Sequence, residues 1–115
     1  MHLITAALIT LVALLHIYFL VLEMFLWTKP LGLKTFRLSP EQAKAPAVLA
    51  ANQGLYNGFL AAGLLWSLLV GDSGAQNFFL GCVVVAGAYG GYSVNKRIFL
   101  VQGMPALVAL ISKML

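Results

Sequence analysis

LITAALITLVALLHIYFLVLEMFLW, residues 3–27, is an apolar run that nonetheless holds a histidine, His16, and a carboxylate, Glu23. At about 1.5 Å per residue a helix of this length reaches beyond the roughly 30 Å hydrocarbon core of a bilayer. A core helix of a soluble domain has no need of such a run. The segment therefore reads as a transmembrane helix, and the question it raises is why it carries two groups that cost free energy to bury.

The rest of the chain repeats the pattern. Of 115 residues 62% are hydrophobic and 9% charged, and the mean hydropathy is +0.96, far from the range of soluble domains. Three further runs are long enough to cross: Pro46 to Val70, Asn77 to Val94 and Ile98 to Leu115. They are continuous and rich in Leu, Ala and Gly, not alternating, which excludes a membrane β-barrel. The expected fold is all-α, a single four-helix transmembrane bundle over residues 1–115. The first run lacks a basic leader and an A-x-A-like cleavage site and ends at an interfacial Trp27, so it reads as a retained helix, not a signal peptide.

Charge sets an expected orientation. With four crossings, the first and third loops lie on one side and hold Lys29, Lys34, Arg37, Lys44, Lys96 and Arg97; the other side has Lys113, with Asp72 in the second loop. Six basic residues against one predict cytoplasmic first and third loops and both termini periplasmic in a bacterial inner membrane. The same asymmetry explains the net charge of +4 without nucleic acid, for which no basic-aromatic motif is present.

In the first loop TKPLGLKTF, residues 28–36, reads as a turn. SPEQ then reads as a helix start, with Ser39 as N-cap, Pro40 first in the helix and Gln42 closing a capping box. This is a short amphipathic lead-in to the second crossing, with a bend at Pro46. GDSGAQ and the residues around NKR read as tight turns. Cys82 is the single cysteine, so no internal disulfide forms and thiol redox chemistry is disfavoured. His2 and His16 are about 21 Å apart by helical rise, and neither metal nor another cofactor is expected. Small residues recur at four-residue spacing in Ala50, Gly54, Gly58 and Ala62, and in Gly87 and Gly91. They pack helices within one chain or form a homodimer face.

His16 and Glu23, seven apart, project from nearly one face about 10 Å apart along the axis. The second crossing enters from the same side, and ANQGLYNG sets Asn52 and Gln53 level with Glu23, and Asn57 near His16. Tyr56, Tyr89, Tyr92, Ser93 and Gln102 add to this level. Pro105 has no N–H for the carbonyl of Val101, so the last helix is expected to bend there. The predicted bundle is lopsided, polar inside in its cytoplasmic half and almost purely apolar in the other. Each residue also has a plainer reading: Asn and Gln as interhelical glue worth about 0.6–2 kcal/mol, Tyr92 and Trp27 as interfacial aromatics, His16 as a satisfied core histidine. Glu23 resists it, since a buried carboxylate must be neutralised or paired.

HIYFLVLEMFLW and NQGLYNGFLA together resemble the family of small bacterial four-helix membrane proteins known as domain of unknown function 1304, across nearly the whole chain. The resemblance implies a bacterial inner-membrane four-helix protein and supplies no reaction. Three function classes follow. A binding or transport protein, similar in plan to small multidrug resistance exporters, would couple a proton on Glu23 to a small cationic or amphipathic ligand, with Tyr56, Tyr89 and Tyr92 offering rings to the cation. A membrane enzyme on a lipid-like substrate, resembling sterol-isomerase-like enzymes in residue type, would use His16 and Glu23 as acid and base; their spacing demands an elongated ligand. An accessory subunit would use the polar layer only to specify helix pairing. The first is the expected function, with Glu23, His16, Asn52, Gln53, Asn57, Tyr56, Tyr89, Tyr92 and Gln102 as its site and membrane lipids as surroundings.

Overall fold

Continuous apolar runs fold as helices because the backbone must satisfy its own hydrogen bonds in a hydrocarbon setting. The computed structural model, which describes residues 2–115, is helical, and the described residues include no strand. The elements are α1 (Leu3–Met24), α2 (Pro30–Phe36), α3 (Pro40–Lys44), α4 (Ala47–Val70), α5 (Ser73–Ser93), α6 (Lys96–Ile98), a π-helical turn (Phe99–Gly103) and α7 (Met104–Met114). Three helical stretches are long and apolar enough to cross a membrane: Leu3–Met24, Ala47–Val70 and the composite Lys96–Met114. α5 spans 21 residues, but Gln76, Asn77 and its glycines dilute its apolar content, and it is not among the three.

The chain forms two compact units. One comprises the residues up to Leu15 together with Leu60–Leu115. Its core is Ile9, Val12 and Ala13 of α1, Ala61 and Leu64 of α4, Leu80 and Val83 of α5, and Ala106 and Ala109 of α7. Alanine at facing positions brings backbones close, and in lipid that close packing, more than solvent exclusion, holds helices together. The tightest contact is Gly87 on Gly103, where an added Cβ would lie 2.6 Å from the Cα and N of Gly103. This unit is less apolar than the sequence suggested. Thr5, Ser67 and Gln76 are buried; Thr5 and Ser112 share a hydroxyl hydrogen bond of 2.8 Å, and Lys113 Nζ donates to Gln76 Oε1 at 2.6 Å and to Ser73 Oγ at 3.1 Å. Gln76 Nε2 in turn donates to the Ser67 carbonyl.

Turns in this unit also differ from expectation. α5 starts at Ser73, not Asn77, because Asp72 is its N-cap and accepts from the Ala75 N–H at 3.0 Å; the turn itself is Gly71, at φ +67°, and Asp72. Asn95 caps α6 through the Arg97 N–H. Beyond it, near Pro105, the helix widens where a bend was expected: the Met104 N–H bonds the carbonyl of Phe99, five residues back.

The second unit is His16–Phe59. α1 ends at Met24, short of Trp27, because Pro30 drives Lys29 into extended backbone (ψ 164°) and then serves as the first residue of a new helix. The segment read as a turn is thus mostly α2, closed by Arg37 in the left-handed region at φ 57°. The capping box forms as spaced: Gln42 N–H donates to Ser39 Oγ at 3.1 Å and Ser39 N–H to Gln42 Oε1 at 2.8 Å. α3 and α4 are separate helices and not one bent helix, since Pro46 has no N–H to continue the ladder. Trp27 Nε1 donates to the Ala43 carbonyl at 2.9 Å and its ring packs on Phe36 at 4.7 Å. The connection between α1 and α4 is therefore folded and clasped.

Candidate functional site

The site lies within the second unit, between the last turn of α1 and the first half of α4. Glu23 is the penultimate residue of α1, and 4% of its surface is exposed. Gln53 and Asn57 of α4 are four apart, so they lie on one helical face a turn from each other. They straddle the carboxylate: Gln53 Nε2 donates to Oε2 and Asn57 Nδ2 to Oε1, each at 2.5 Å. Gly54 lies between them in sequence and allows the approach, because a Cβ there would stand 2.7 Å from Met24 Cγ and 3.1 Å from Glu23 Cβ. In sequence this glycine carried only a packing role. Here it sets the distance across which the carboxylate is held.

The partners on both oxygens are neutral amides. Two N–H donors suit an ionised carboxylate, for hydrogen bonds to a charged acceptor are roughly twice as strong as neutral ones. An amide turned by 180° presents its oxygen instead and accepts from a protonated carboxyl. The cluster can thus serve either state of the proton without leaving a polar atom bare, and among the described residues no buried side-chain nitrogen or oxygen lacks a partner.

The remaining predicted residues are placed as follows. Asn57, set by register beside His16, donates to Glu23. His16 is fully buried and meets Phe19 edge-on at 5.2 Å between ring centres. Asn52 is exposed, and Tyr56 is exposed with its ring edge-on to Phe59 at 5.8 Å. Tyr89, Tyr92 and Gln102 belong to the other unit; Tyr92 is 91% exposed, Tyr89 borders an open hollow on α5 of about 700 Å³, and Gln102 is half-buried in the π turn. The residues brought onto one group are Glu23, Gln53 and Asn57. Among the described residues no three His, Cys, Asp or Glu side chains are grouped to hold a metal ion. The Lys113, Gln76 and Ser67 cluster escaped sequence reading, because its members are far apart in the chain; the one hint was an amide, Gln76, at the head of an apolar run.

Fold and site together define a small all-helical protein with membrane-length helices and a buried carboxylate clasped by amides. The chain belongs to the family described as "Protein of unknown function (DUF1304)", whose model matches residues 10–114, a span that includes Glu23, Gln53 and Asn57. It is 32% identical over 116 residues to "Uncharacterized protein YpaA" of Lactococcus lactis subsp. lactis (strain IL1403), covering 97% of this chain and 98% of the relative. No solved structure matches.

Proposed function

We propose that this is a four-crossing inner-membrane protein, with α5 as the fourth crossing and both termini periplasmic, that binds or transports a small or amphipathic cation in exchange for a proton on Glu23. The observation that supports it is the Glu23 carboxylate itself, buried and held by Gln53 and Asn57 with no charge contributed by either. A structural layer needs amides only; a carboxylate there adds desolvation cost that hydrophobic or amide residues avoid. A carboxylate whose surroundings suit both protonation states can trade a proton for a cation. By linkage, the cation then binds more tightly as the proton leaves.

The groups facing Glu23 from α4 are neutral: Gln53, Gly54 and Asn57. The other titratable side chains of the helical pair in this unit are His16 and Tyr18 on α1 and Tyr56 on α4. The test is equilibrium binding of tetraphenylphosphonium to purified protein from pH 5 to 9, for wild type and Glu23→Gln. Affinity is expected to change by up to about tenfold per pH unit over the range where one proton is displaced, and to lose that dependence in Glu23→Gln. Equal, pH-independent binding to both proteins would remove the reading and leave Glu23 a pairing device.

A further inference from the structure

We propose that the ligand of Glu23 is an amphipathic cation that arrives sideways from the bilayer over the outer face of α4, and that Gln53 is the gate it displaces. The proposal rests on the cation-binding reading above and adds to it the route, the ligand's build and the moving part.

The two amides that hold Glu23 are not equivalent. Asn57 is 8% exposed and closes the cluster from within. Gln53 is exposed, yet its Nε2 bonds Oε2 of a residue that is itself buried. One side chain therefore separates the carboxylate from the surface, and rotation of that side chain alone uncovers an oxygen. Gln53 lies six residues from the start of α4, about 9 Å along the helix. In a helix that crosses a bilayer, this is the outer part of the leaflet, where the charged head of an amphipath resides and its tail points inward.

The surface beside the gate fits such a molecule. Leu49, Asn52 and Tyr56 flank Gln53 at helical spacing and are exposed, as is Phe59, whose ring meets that of Tyr56 edge-on. The two rings offer an apolar wall and an electron-rich face to a cation, and the Asn52 amide offers a polar contact at headgroup depth. The route through water on the loop side is electrostatically poorer. Lys29, Lys34, Arg37 and Lys44 are all exposed on the connection between α1 and α4, against the single acid Glu41, so a cation coming past them meets like charge. The outer face of α4 from Leu49 to Phe59 carries no basic residue.

Carbodiimides that differ in solubility distinguish the routes, because both modify carboxyl groups. Protein in liposomes is treated with lipid-soluble dicyclohexylcarbodiimide or with a water-soluble carbodiimide, and modification of Glu23 is followed by peptide mass spectrometry, with exposed Glu41 as internal reference. Relative to Glu41, Glu23 is expected to react strongly with the lipid-soluble reagent and weakly with the aqueous one. Gln53→Ala should speed the lipid-soluble reaction about tenfold, as expected when one hydrogen bond to a charged acceptor no longer holds the gate shut. Tetraphenylphosphonium should slow it. The wild-type comparison needs no variant and stands even if Gln53→Ala misfolds.

Preferential labelling of Glu23 from water, or an unchanged rate in folded Gln53→Ala, would overturn the lateral gate. If tetraphenylphosphonium binding still depends on Glu23 and pH in that case, the functional reading stands and only the route is wrong. Gated labelling that tetraphenylphosphonium fails to slow, with binding indifferent to Glu23→Gln, would overturn the ligand assignment and the functional reading together.

Discussion

Replacing Asn57 by leucine removes the donor to Glu23 Oε1 while keeping a side chain of similar bulk. The bond is buried and 2.5 Å long. If the acceptor is charged, its loss costs about 1.5–3 kcal/mol, and the bared oxygen adds a desolvation penalty within the same range. An ordinary interhelical hydrogen bond in a membrane protein averages about 0.6 kcal/mol. The two cases differ enough to be told apart. In a Glu23→Met background both partners are apolar, so Asn57→Leu should then be nearly neutral. The double-mutant cycle should give a coupling of about 1.5–3 kcal/mol, roughly a tenfold to hundredfold change in the unfolding equilibrium. Reversible unfolding by SDS in mixed micelles, followed by Trp fluorescence, measures it. A coupling at or below about 0.6 kcal/mol would show that Glu23 is glue like any amide and refute the charged cluster.

Further outcomes follow from the packing and the charges. Gly87→Ala places a methyl 2.6 Å from the Gly103 backbone, which cannot rotate aside, and should lower stability by about 1–3 kcal/mol in the same SDS titration with helix content by circular dichroism unchanged. Trp27→Phe removes the hydrogen bond to the Ala43 carbonyl; trypsin should then cut faster at Lys34 and Arg37, and an unchanged rate would mean the clasp holds nothing. In a Cys82→Ser background, a cysteine in the 28–38 segment should resist an impermeant thiol reagent in intact cells while one at residue 2 reacts. Equal labelling would show the orientation to be mixed or reversed.

The helices and the carboxylate cluster were legible in the sequence for different reasons. Apolar runs announce membrane-length helices without any partner. Glu23 was legible because a carboxylate in such a run is costly enough to require donors, and Gln53 and Asn57 were the amides at matching depth on the neighbouring run. Proline and glycine in PLGLKTF suggested a turn, yet Pro30 at a helix's first position and Trp27 clasped to Ala43 make α2. Gln76 and Asn77 looked like loop because their polarity hid a helix already begun at Asp72. The Lys113 to Gln76 bond joins residues 37 apart in sequence, and no local pattern encodes such a pairing.

The π turn at Phe99–Gly103 closes a ring with one residue more than an α-turn, and this makes it a phase adjuster. Each residue turns a helix by about 100°, so the extra one decides which side of Lys96–Met114 faces α5. It sets Gly103 on Gly87 and points Ala106 and Ala109 into the core. Removing Leu100 would restore a regular helix locally while rotating everything after it against what precedes it. Gly103 would leave its seat and the next side chain would meet the Gly87 backbone. A one-residue deletion here would therefore act on the whole of α7, whereas a substitution at exposed Leu100 would act on nothing beyond itself.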